Sequence, residues 1–206
     1  MNNPEILGWL VLIAGYLVGS ILPADRIINR KTGKSMQALE ENPGVLSAYR
    51  RGGLGVGAFV TIFDISKGII PLTLIDRLGL GGWWLIAAAA VPVVGHNWPI
   101  YSCFRGGGKG LATSLGAACW LGWPSILIGL GVGVVLVLWL RWAPAIGLVG
   151  LPIGVINMVL AGMNPYRTWA VVTLILLILL AHIPWLIEEF RAWRESGFLP
   201  KIKKSW

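Results

Sequence analysis

Residues 95–113 read GHNWPIYSCFRGGGKGLAT and lie between two long apolar segments. Four of its five glycines lie beside two cations, and these residues are Arg105, Gly106, Gly107, Gly108, Lys109 and Gly110. Backbone N–H groups without side chains around them, next to fixed positive charge, form a concave site suited to phosphate. This stretch therefore predicts a membrane protein that handles phosphorylated molecules where lipid meets water.

The composition is typical of a chain that lies mostly in lipid. Of the 206 residues, 56% are hydrophobic and 13% are charged, and the mean hydropathy is +0.73. Soluble globular domains carry about 25% charged residues. The length fits a single integral membrane domain over residues 1–206, without room for a separate soluble domain.

Seven apolar segments are candidates to cross a bilayer, and all but the short Trp83–Val94 and Leu111–Trp123 come near the roughly 17–25 residues that a crossing helix needs. The candidate segments are Ile6–Leu22, Gly55–Ile75, Trp83–Val94, Leu111–Trp123, Pro124–Leu140, Ala143–Ala161 and Trp169–Ile187. We therefore predict an all-α, polytopic membrane bundle of about seven transmembrane helices. The longest polar stretch, about Pro23–Gly53, is expected to be the first loop.

The distribution of basic residues predicts the orientation, because cytoplasmic loops are rich in Lys and Arg. With seven crossings and the N-terminus outside, the outer loops hold only Arg77 and Arg167. The inner side then holds Arg26, Arg30, Lys31, Lys34, Arg50, Arg51, Arg105, Lys109, Arg141, Arg191, Arg194, Lys201, Lys203 and Lys204. This topology accounts for the net charge of +8, so we predict no nucleic-acid partner.

Three polar side chains lie in or beside the apolar segments. His96 ends one of them, and it is either a hydrogen-bonded structural residue or a group that relays a proton from a substrate hydroxyl. Asp64 and Lys67 are three residues apart on one helix face. They either neutralise each other or border a polar cavity in which Lys67 helps to bind an anion.

Several kinds of site are excluded by the residue pattern. The glycine stretch is not a Walker A loop, because Cys103 stands at its first glycine and Gly110 follows Lys109. Cys103 and Cys119 fit no zinc pattern, and no Ser-His-Asp set or metal-ligand cluster is present in the sequence. We therefore predict no metal or cofactor, and a reaction that depends on positioning and electrostatic stabilisation.

Four groups of residues together resemble a known family. Gly19-Ser20-Ile21 closes the first segment, and Asn42-Pro43-Gly44 precedes Arg50 and Gly53. The second segment holds DISKG at 64–68, and the central motif runs from Gly95-His96 through the glycine stretch to Ala112-Thr113. In these residues the chain resembles the PlsY-type acyl-phosphate:glycerol-3-phosphate acyltransferases of bacterial membranes, over most of its length.

The resemblance implies seven spans, an external N-terminus and a site that faces the cytoplasm of a bacterial cell, in its inner membrane. The implied reaction moves a fatty acyl group from acyl phosphate to glycerol 3-phosphate and gives lysophosphatidic acid, without a cofactor. The implied partners are these two substrates and membrane lipids. His96 and Lys109 are the expected catalytic residues. The expected substrate- and phosphate-binding residues are Ser20, Asn42, Gly44, Arg50, Lys67, Arg105, Gly106, Gly107, Gly108, Gly110, Thr113 and His182.

The chain departs from the family pattern at two places. Residues 39–47 read LEENPGVLS where the family motif is similar to Gly-Ser-Gly-Asn-x-Gly-Ala-Thr-Asn, so Glu40 and Glu41 are expected to repel a bound phosphate. Near the C-terminus, His182 is followed by Pro184 and Trp185, where the family has Glu and Asn. Two alternatives therefore stay open: a diverged, inactive lipid- or phosphate-binding membrane protein, or a small transporter.

Overall fold

The computed structural model describes residues 3–39, 41–140 and 149–196, and these ranges contain helices and no β-strand. We number the seven α-helices α1 to α7 in chain order. Their bounds are α1 Pro4–Gly19, α2 Pro23–Thr32, α3 Val45–Arg77, α4 Trp83–Asn97, α5 Leu111–Leu140, α6 Leu151–Leu160 and α7 Pro165–Ser196. Short 3-10 turns lie at Gln37–Leu39 and Ile100–Ser102.

Four helical segments of the described chain are long and apolar enough to cross a membrane. These segments are Pro4–Thr32, Val45–Arg77, Leu111–Trp139 and Pro165–Pro184, and the apolar α6 is shorter. Many large apolar side chains on them face outward, for example Leu10, Ile62 and Leu138, as expected where lipid is the solvent. The count of seven crossings stays a prediction. Arg141 and the basic residues at 201–204 lie outside the described residues.

The prediction of a loop at about Pro23–Gly53 is wrong for much of that stretch. Pro23 begins α2, Asp25 lies in its first turn, and Gly33 ends it with a φ of +71°. Proline at the first position and an acidic first turn favour the start of a helix, and a left-handed glycine after the last turn favours its end. Helix α3 then begins at Val45, well before the predicted start at Gly55, and its backbone departs from helical geometry at Gly53.

Helix α5 joins two of the predicted spans. Residues 111–140 form one helix that is kinked at Gly122 (φ −168°, ψ 59°), next to the predicted boundary between Trp123 and Pro124. The two halves pack differently, since Gly116 lies against the backbone of Ile65 in α3, whereas Gly129 lies against the backbone of Gly150 before α6. The predicted span Ala143–Ala161 begins outside the described residues, and α6 is its described part.

Helices α1 and α4 run parallel in close contact, and this contact positions the site. Gly8 faces Trp84, Gly15 faces Val91, and Gly19 faces the backbone of Pro92. Small residues allow such close approach of membrane helices. At the starting end of the pair, the ring of Trp9 lies 5.5 Å from that of Trp83 and 5.3 Å from that of Trp84. The opposite ends of α1 and α4 meet the glycine stretch.

Two hydrogen bonds hold the segment after α4 against the end of α1. The hydroxyl of Tyr16 donates to the carbonyl of Trp98 at 3.1 Å. Ser20 Oγ accepts from the N–H of Ile100 at 3.3 Å and donates to the carbonyl of Tyr16 at 2.9 Å. The loop of residues 98–110, which we call the glycine loop, therefore has a fixed support on α1.

Candidate functional site

A buried ionic cluster lies below the glycine loop, where α1, α3 and α4 meet. Lys67 Nζ is 2.9 Å from Asp64 Oδ1 and 3.0 Å from His96 Nδ1. It also donates to the carbonyls of Gly19 at 3.2 Å and Ile21 at 3.1 Å. The side chains of Asp64 and Lys67 are each about 1% exposed. These contacts fit the mutually neutralising pair, whereas the part of Lys67 in binding a ligand anion stays a prediction.

The contact with Lys67 decides which nitrogen of His96 carries a proton. A lysine ammonium group has three donors and no acceptor, so His96 Nδ1 must accept and the ring proton must lie on Nε2. Nε2 faces the backbone of Gly108 so closely that a Cβ at that residue would overlap it. The N–H of Gly108 in turn donates to the carbonyl of His96 at 3.0 Å. The ring of His96 is therefore packed under the glycine loop, and its N–H donor faces Gly108.

The glycine loop needs glycine at particular positions for two different reasons. Gly107 packs against the carbonyl of Asn97 and the ring of Pro99, so a side chain there would collide with both. Gly110 has a φ of +68°, a left-handed conformation that glycine adopts without steric cost. Helix α5 begins at the next residue, Leu111. Lys109 therefore lies just before the start of a helix, where free backbone N–H groups favour the binding of anions.

Three buried polar side chains surround this helix start. Asn97 Nδ2 donates to the carbonyl of Leu177 in α7 at 3.4 Å. Asn97 Oδ1, Thr113 Oγ1 and Ser114 Oγ have no hydrogen-bond partner within the described ranges. Thr113 and Ser114 are fully buried. Because an unpaired buried polar group costs about 1–3 kcal/mol, these oxygens are candidates to bind hydroxyl or phosphate groups of a ligand.

Lys109 and His182 add titratable groups from two elements. Burial lowers the pKa of Lys109 below its ordinary value of 10.5. His182 lies on α7, close enough to interact electrostatically with Lys109. Its Nδ1 is 2.7 Å from the carbonyl of Ile178, which can only accept, so Nδ1 carries the ring proton and Nε2 is an acceptor. The structure thus brings together the predicted residues His96, Gly108, Lys109, Gly110 and His182 around the start of α5.

Other predicted site residues lie elsewhere. Gly44 caps the start of α3, and Asn42 and Arg50 are exposed near it. A cavity of about 190 Å³ opens between the start of α2 and the glycine loop, and Ser20, Arg105 and Gly106 are among the residues that line it. Neither Arg50 nor Lys109 is among its described lining residues. The predicted cations are therefore divided between the glycine loop, the cavity and the start of α3.

Arg26 of α2 also lines this cavity and was not predicted from the sequence as a site residue. Its guanidinium carbon lies 5.6 Å from the centroid of the Tyr101 ring. Arg26, Asn29 and Arg30 share a face of α2 and line a second hollow beside the first. This i, i+3, i+4 spacing is the signal in the sequence that identifies Arg26, once α2 is recognised as a helix.

The structure also describes one of the two acidic residues that depart from the family pattern. Glu41 Oε1 accepts from Arg51 at 2.6 and 2.8 Å. This hydrogen bond is the main reason that the pKa of Glu41 is lowered, so the carboxylate stays ionised and paired. The expected repulsion of phosphate by Glu41 is therefore offset by Arg51. Glu40 and the side chain of Trp185 lie outside the described residues.

Comparisons with known proteins agree on one family. The family model described as glycerol-3-phosphate acyltransferase matches residues 9–191. Glycerol-3-phosphate acyltransferase 5 of Dehalococcoides mccartyi is 36% identical over 146 residues, which are 69% of this chain and 62% of that protein. The Erwinia tasmaniensis glycerol-3-phosphate acyltransferase is 34% identical over 197 residues, which are 90% of this chain and 92% of that protein.

Solved structures give the same result for the fold. One match is the crystal structure of PlsY, an integral membrane glycerol 3-phosphate acyltransferase, in its glycerol 3-phosphate form. Its TM-score is 0.75 at 25% sequence identity, and the match covers 93% of this chain and 99% of that one. Its lysophosphatidic acid form matches with a TM-score of 0.73 and 96% coverage of both chains. The all-α, multi-pass membrane fold predicted from the sequence is confirmed. The chain spans about 60% of the length of the first curated relatives that it matches.

Proposed function

The chain belongs to the glycerol-3-phosphate acyltransferase family, and we propose that it transfers a fatty acyl group from acyl phosphate to the sn-1 hydroxyl of glycerol 3-phosphate. The products are lysophosphatidic acid and inorganic phosphate, so the reaction is a step of phospholipid synthesis. Family membership is shown by the model match over residues 9–191 and by the Erwinia relative. The choice of acyl phosphate as the donor rests on the central motif, residues 95–113.

One observation carries the proposal: His96 packs against Gly108, the residue before Lys109, in the glycine loop beside the start of α5. Acyl phosphate is already an activated mixed anhydride, so the protein needs no covalent nucleophile. It needs cations and N–H donors that hold two phosphates and stabilise the negative charge that develops on the carbonyl oxygen. Lys109, the loop backbone and the first turn of α5 supply such groups, and Thr113 and His182 adjoin them.

The protonation of His96 decides which role this residue can have in the transfer step. The glycerol hydroxyl oxygen attacks the acyl carbon, a new C–O bond forms, and the bond between the acyl carbon and the phosphate oxygen breaks. The hydroxyl proton leaves with the departing phosphate, which is itself a base. In the tautomer inferred above, His96 Nε2 carries the ring proton and has no lone pair there to accept another. We therefore assign His96 the role of hydrogen-bond donor to the reacting oxygens, with Lys109 as the phosphate-binding cation.

The membrane setting proposed for this chemistry is the inner membrane of a bacterial cell, with the site facing the cytoplasm and the N-terminus outside. Basic residues of α2 and the glycine loop lie at one end of the bundle. The aromatic contact of Trp9 with Trp83 and Trp84 lies at the other end of α1 and α4, and tryptophan is common at the membrane–water interface. Residues 1–206 act as one domain, without a cofactor.

A reconstitution experiment tests the proposal. The protein is placed in lipid vesicles with a long-chain acyl phosphate and labelled glycerol 3-phosphate, and labelled lysophosphatidic acid is measured. The test variant is Lys109→Ala, and the matched control is Lys31→Ala, which removes the same charge from an exposed position in the last turn of α2. We expect product from the wild type and from Lys31→Ala, and loss of product with Lys109→Ala. The proposal fails if the wild type makes no more product than Lys109→Ala.

The same preparation distinguishes the two alternatives. An inactive binding protein would be protected against heat by glycerol 3-phosphate and would form no product, whereas a transporter would move the label into sealed vesicles. The transporter hypothesis depended on charges inside a span. In the structure, Asp64 and Lys67 contact each other, and Lys67 also binds two backbone carbonyls, so these charges are already paired within the protein.

A further inference from the structure

The turn at residues 100–104, which we call the loop tip, exposes apolar side chains in the first part of the glycine loop. Ile100 is 42% exposed, Tyr101 57% and Phe104 58%. Cys103 between them is exposed as well. Single exposed apolar residues are normal on a protein surface, whereas several together mark a surface that contacts a partner or a membrane. The loop tip is such a group, and none of its residues is among the expected site residues.

Hydrogen bonds within the turn hold the loop tip in one conformation. The N–H of Cys103 donates to the carbonyl of Ile100 at 3.1 Å, and the N–H of Phe104 donates to the carbonyl of Pro99 at 2.9 Å. Cys103 has a φ of +51° and Phe104 a φ of +63°, and within the described ranges they are the only residues other than glycine with a positive φ. Non-glycine residues rarely adopt this conformation, so the surrounding contacts must fix it. A defined turn therefore presents the apolar side chains.

The loop tip continues the apolar outer surface of the bundle. Ser20 Oγ accepts from the N–H of Ile100 at 3.3 Å, which places the tip beside the last turn of α1. In that turn Leu17 is 37% exposed and Val18 41%, as expected for side chains that face acyl chains. At its other end the glycine loop leads into α5, which is long and apolar enough to cross a membrane. The tip thus lies where the apolar surface of the helices reaches the end of the bundle.

Two arginines flank the loop tip. The guanidinium carbon of Arg26 lies 5.6 Å from the centroid of the Tyr101 ring, and Arg105 follows Phe104 directly. Both arginines are exposed. Apolar and aromatic side chains beside exposed cations are typical of segments that lie in the membrane interface, because acyl chains receive the apolar groups and anionic lipids attract the cations. This pattern favours lipid as the partner of the tip.

We propose that the loop tip inserts into the boundary between headgroups and acyl chains, in the leaflet at its own end of the bundle. In this position the side chains of Ile100, Tyr101 and Phe104 contact acyl chains. Arg26 and Arg105 stay at headgroup level, as long basic side chains do near an interface. The insertion holds the glycine loop where lipid meets water, and it does not depend on whether acyl transfer occurs.

The native Cys103 allows the depth of the loop tip to be measured directly. A nitroxide label is attached to Cys103 in the full-length protein with Cys119→Ala, because these are the two cysteines of the chain. The protein is reconstituted in vesicles of phosphatidylcholine and phosphatidylglycerol. EPR power saturation then compares collisions of the label with oxygen, which dissolves in lipid, and with a nickel chelate, which stays in water. The control carries the label at an exposed position of α2, through Lys31→Cys in a protein with Cys103→Ser and Cys119→Ala.

We expect the ratio of oxygen to nickel collisions to be at least about threefold higher for the label at Cys103 than for the label at Lys31→Cys. Phe104→Glu should move the Cys103 ratio toward the control value, because a carboxylate is costly below the headgroups, whereas the apolar Phe104→Leu should leave it unchanged. Thermal unfolding checks that each labelled protein is folded. Equal ratios at Cys103 and at the control position overturn the inference. Few collisions with either reagent would also overturn it, since protein and not lipid would then cover the tip.

Discussion

Lys67 Nζ lies 3.0 Å from His96 Nδ1, and this contact joins the middle of α3 to the end of α4. The ammonium group can only donate, so it leaves the ring proton of His96 on Nε2. Asp64 lies on the other side of the pair, with its Oδ1 2.9 Å from Lys67 and 3.7 Å from His96 Nδ1. The longer distance exceeds a hydrogen bond, so Lys67 is the partner of the ring.

The first prediction concerns the histidine ring itself. We expect NMR of the protein labelled at the histidine nitrogens to show His96 neutral at pH 7, with Nε2 protonated and Nδ1 unprotonated. The measurement is made on the wild type, so it does not depend on the stability of any variant. His182, whose Nδ1 donates to Ile178, serves as an internal reference with the opposite tautomer. A proton on Nδ1 of His96 would show that the donor role assigned to it is wrong.

The second prediction concerns the buried pair. Lys67→Met leaves Asp64 buried without its cation, and we expect it to lower the free energy of unfolding by about 3–5 kcal/mol. Replacing both residues, with Asp64→Leu and Lys67→Met, removes the uncompensated charge and should recover part of this loss, although the carbonyls of Gly19 and Ile21 stay without the partner that Lys67 gave them. Unfolding in detergent is followed by circular dichroism. If the double variant is no more stable than Lys67→Met, the pair is not what holds α3 in place.

A third prediction tests the space between the glycine loop and His96. A Cβ at Gly108 would overlap His96 Nε2, so Gly108→Ala must displace the ring or the loop, and we expect about a hundredfold loss of kcat. Gly55→Ala is the matched control, because nothing lies within 4 Å of its Cβ and its φ is not positive. Initial rates of acyl transfer, with protein folding checked by unfolding, separate the two. Equal activity of both variants would contradict the packing described here.

The fourth prediction concerns alkaline pH. Because burial lowers the pKa of Lys109 below 10.5, the ammonium group loses its proton at lower pH than an exposed lysine does. Activity that needs this cation should therefore fall as pH rises through the lowered pKa. Lys109→Arg keeps its charge throughout this range, and we expect its alkaline limb to move to higher pH, even if its maximum rate is lower. Identical alkaline limbs for wild type and Lys109→Arg would mean that Lys109 is not the titrating group.

Much of the fold and of the site could be predicted from the sequence. Apolar runs of sufficient length predicted the membrane helices, because the bilayer sets the length that a helix must have. The glycine loop with Lys109 was singled out from residue types alone, because exposed backbone N–H groups beside a cation suit phosphate, and its role in binding stays a prediction. The Gly122 kink lies next to the predicted boundary at Pro124, where proline removes a helix hydrogen bond.

Contacts between distant segments could not be predicted in the same way. Lys67 and His96 are 29 residues apart on different helices, and nothing in a single sequence shows that their side chains meet. The stretch after Leu22 predicts a loop because it is the longest polar stretch of the chain, yet its apolar residues Ala24 and Ile28 are fully buried and make α2 a surface helix. Arg26 was missed for the same reason, since its neighbours on a helix face are defined only once the helix is known.

Helix α1 by itself is shorter than the hydrocarbon layer, and Lys67 pairs with carbonyls at its end. Its 16 residues extend about 24 Å at 1.5 Å per residue, less than the roughly 30 Å of a hydrocarbon layer. Backbone carbonyls within the hydrocarbon layer have no water to donate a hydrogen bond to them. The ammonium group of Lys67 donates hydrogen bonds to the carbonyls of Gly19 and Ile21 instead. If the proposed transfer site lies at the level of these carbonyls, we expect a fatty chain to enter it from within the leaflet and a water-soluble acceptor to enter it from the end of the bundle that bears the glycine loop.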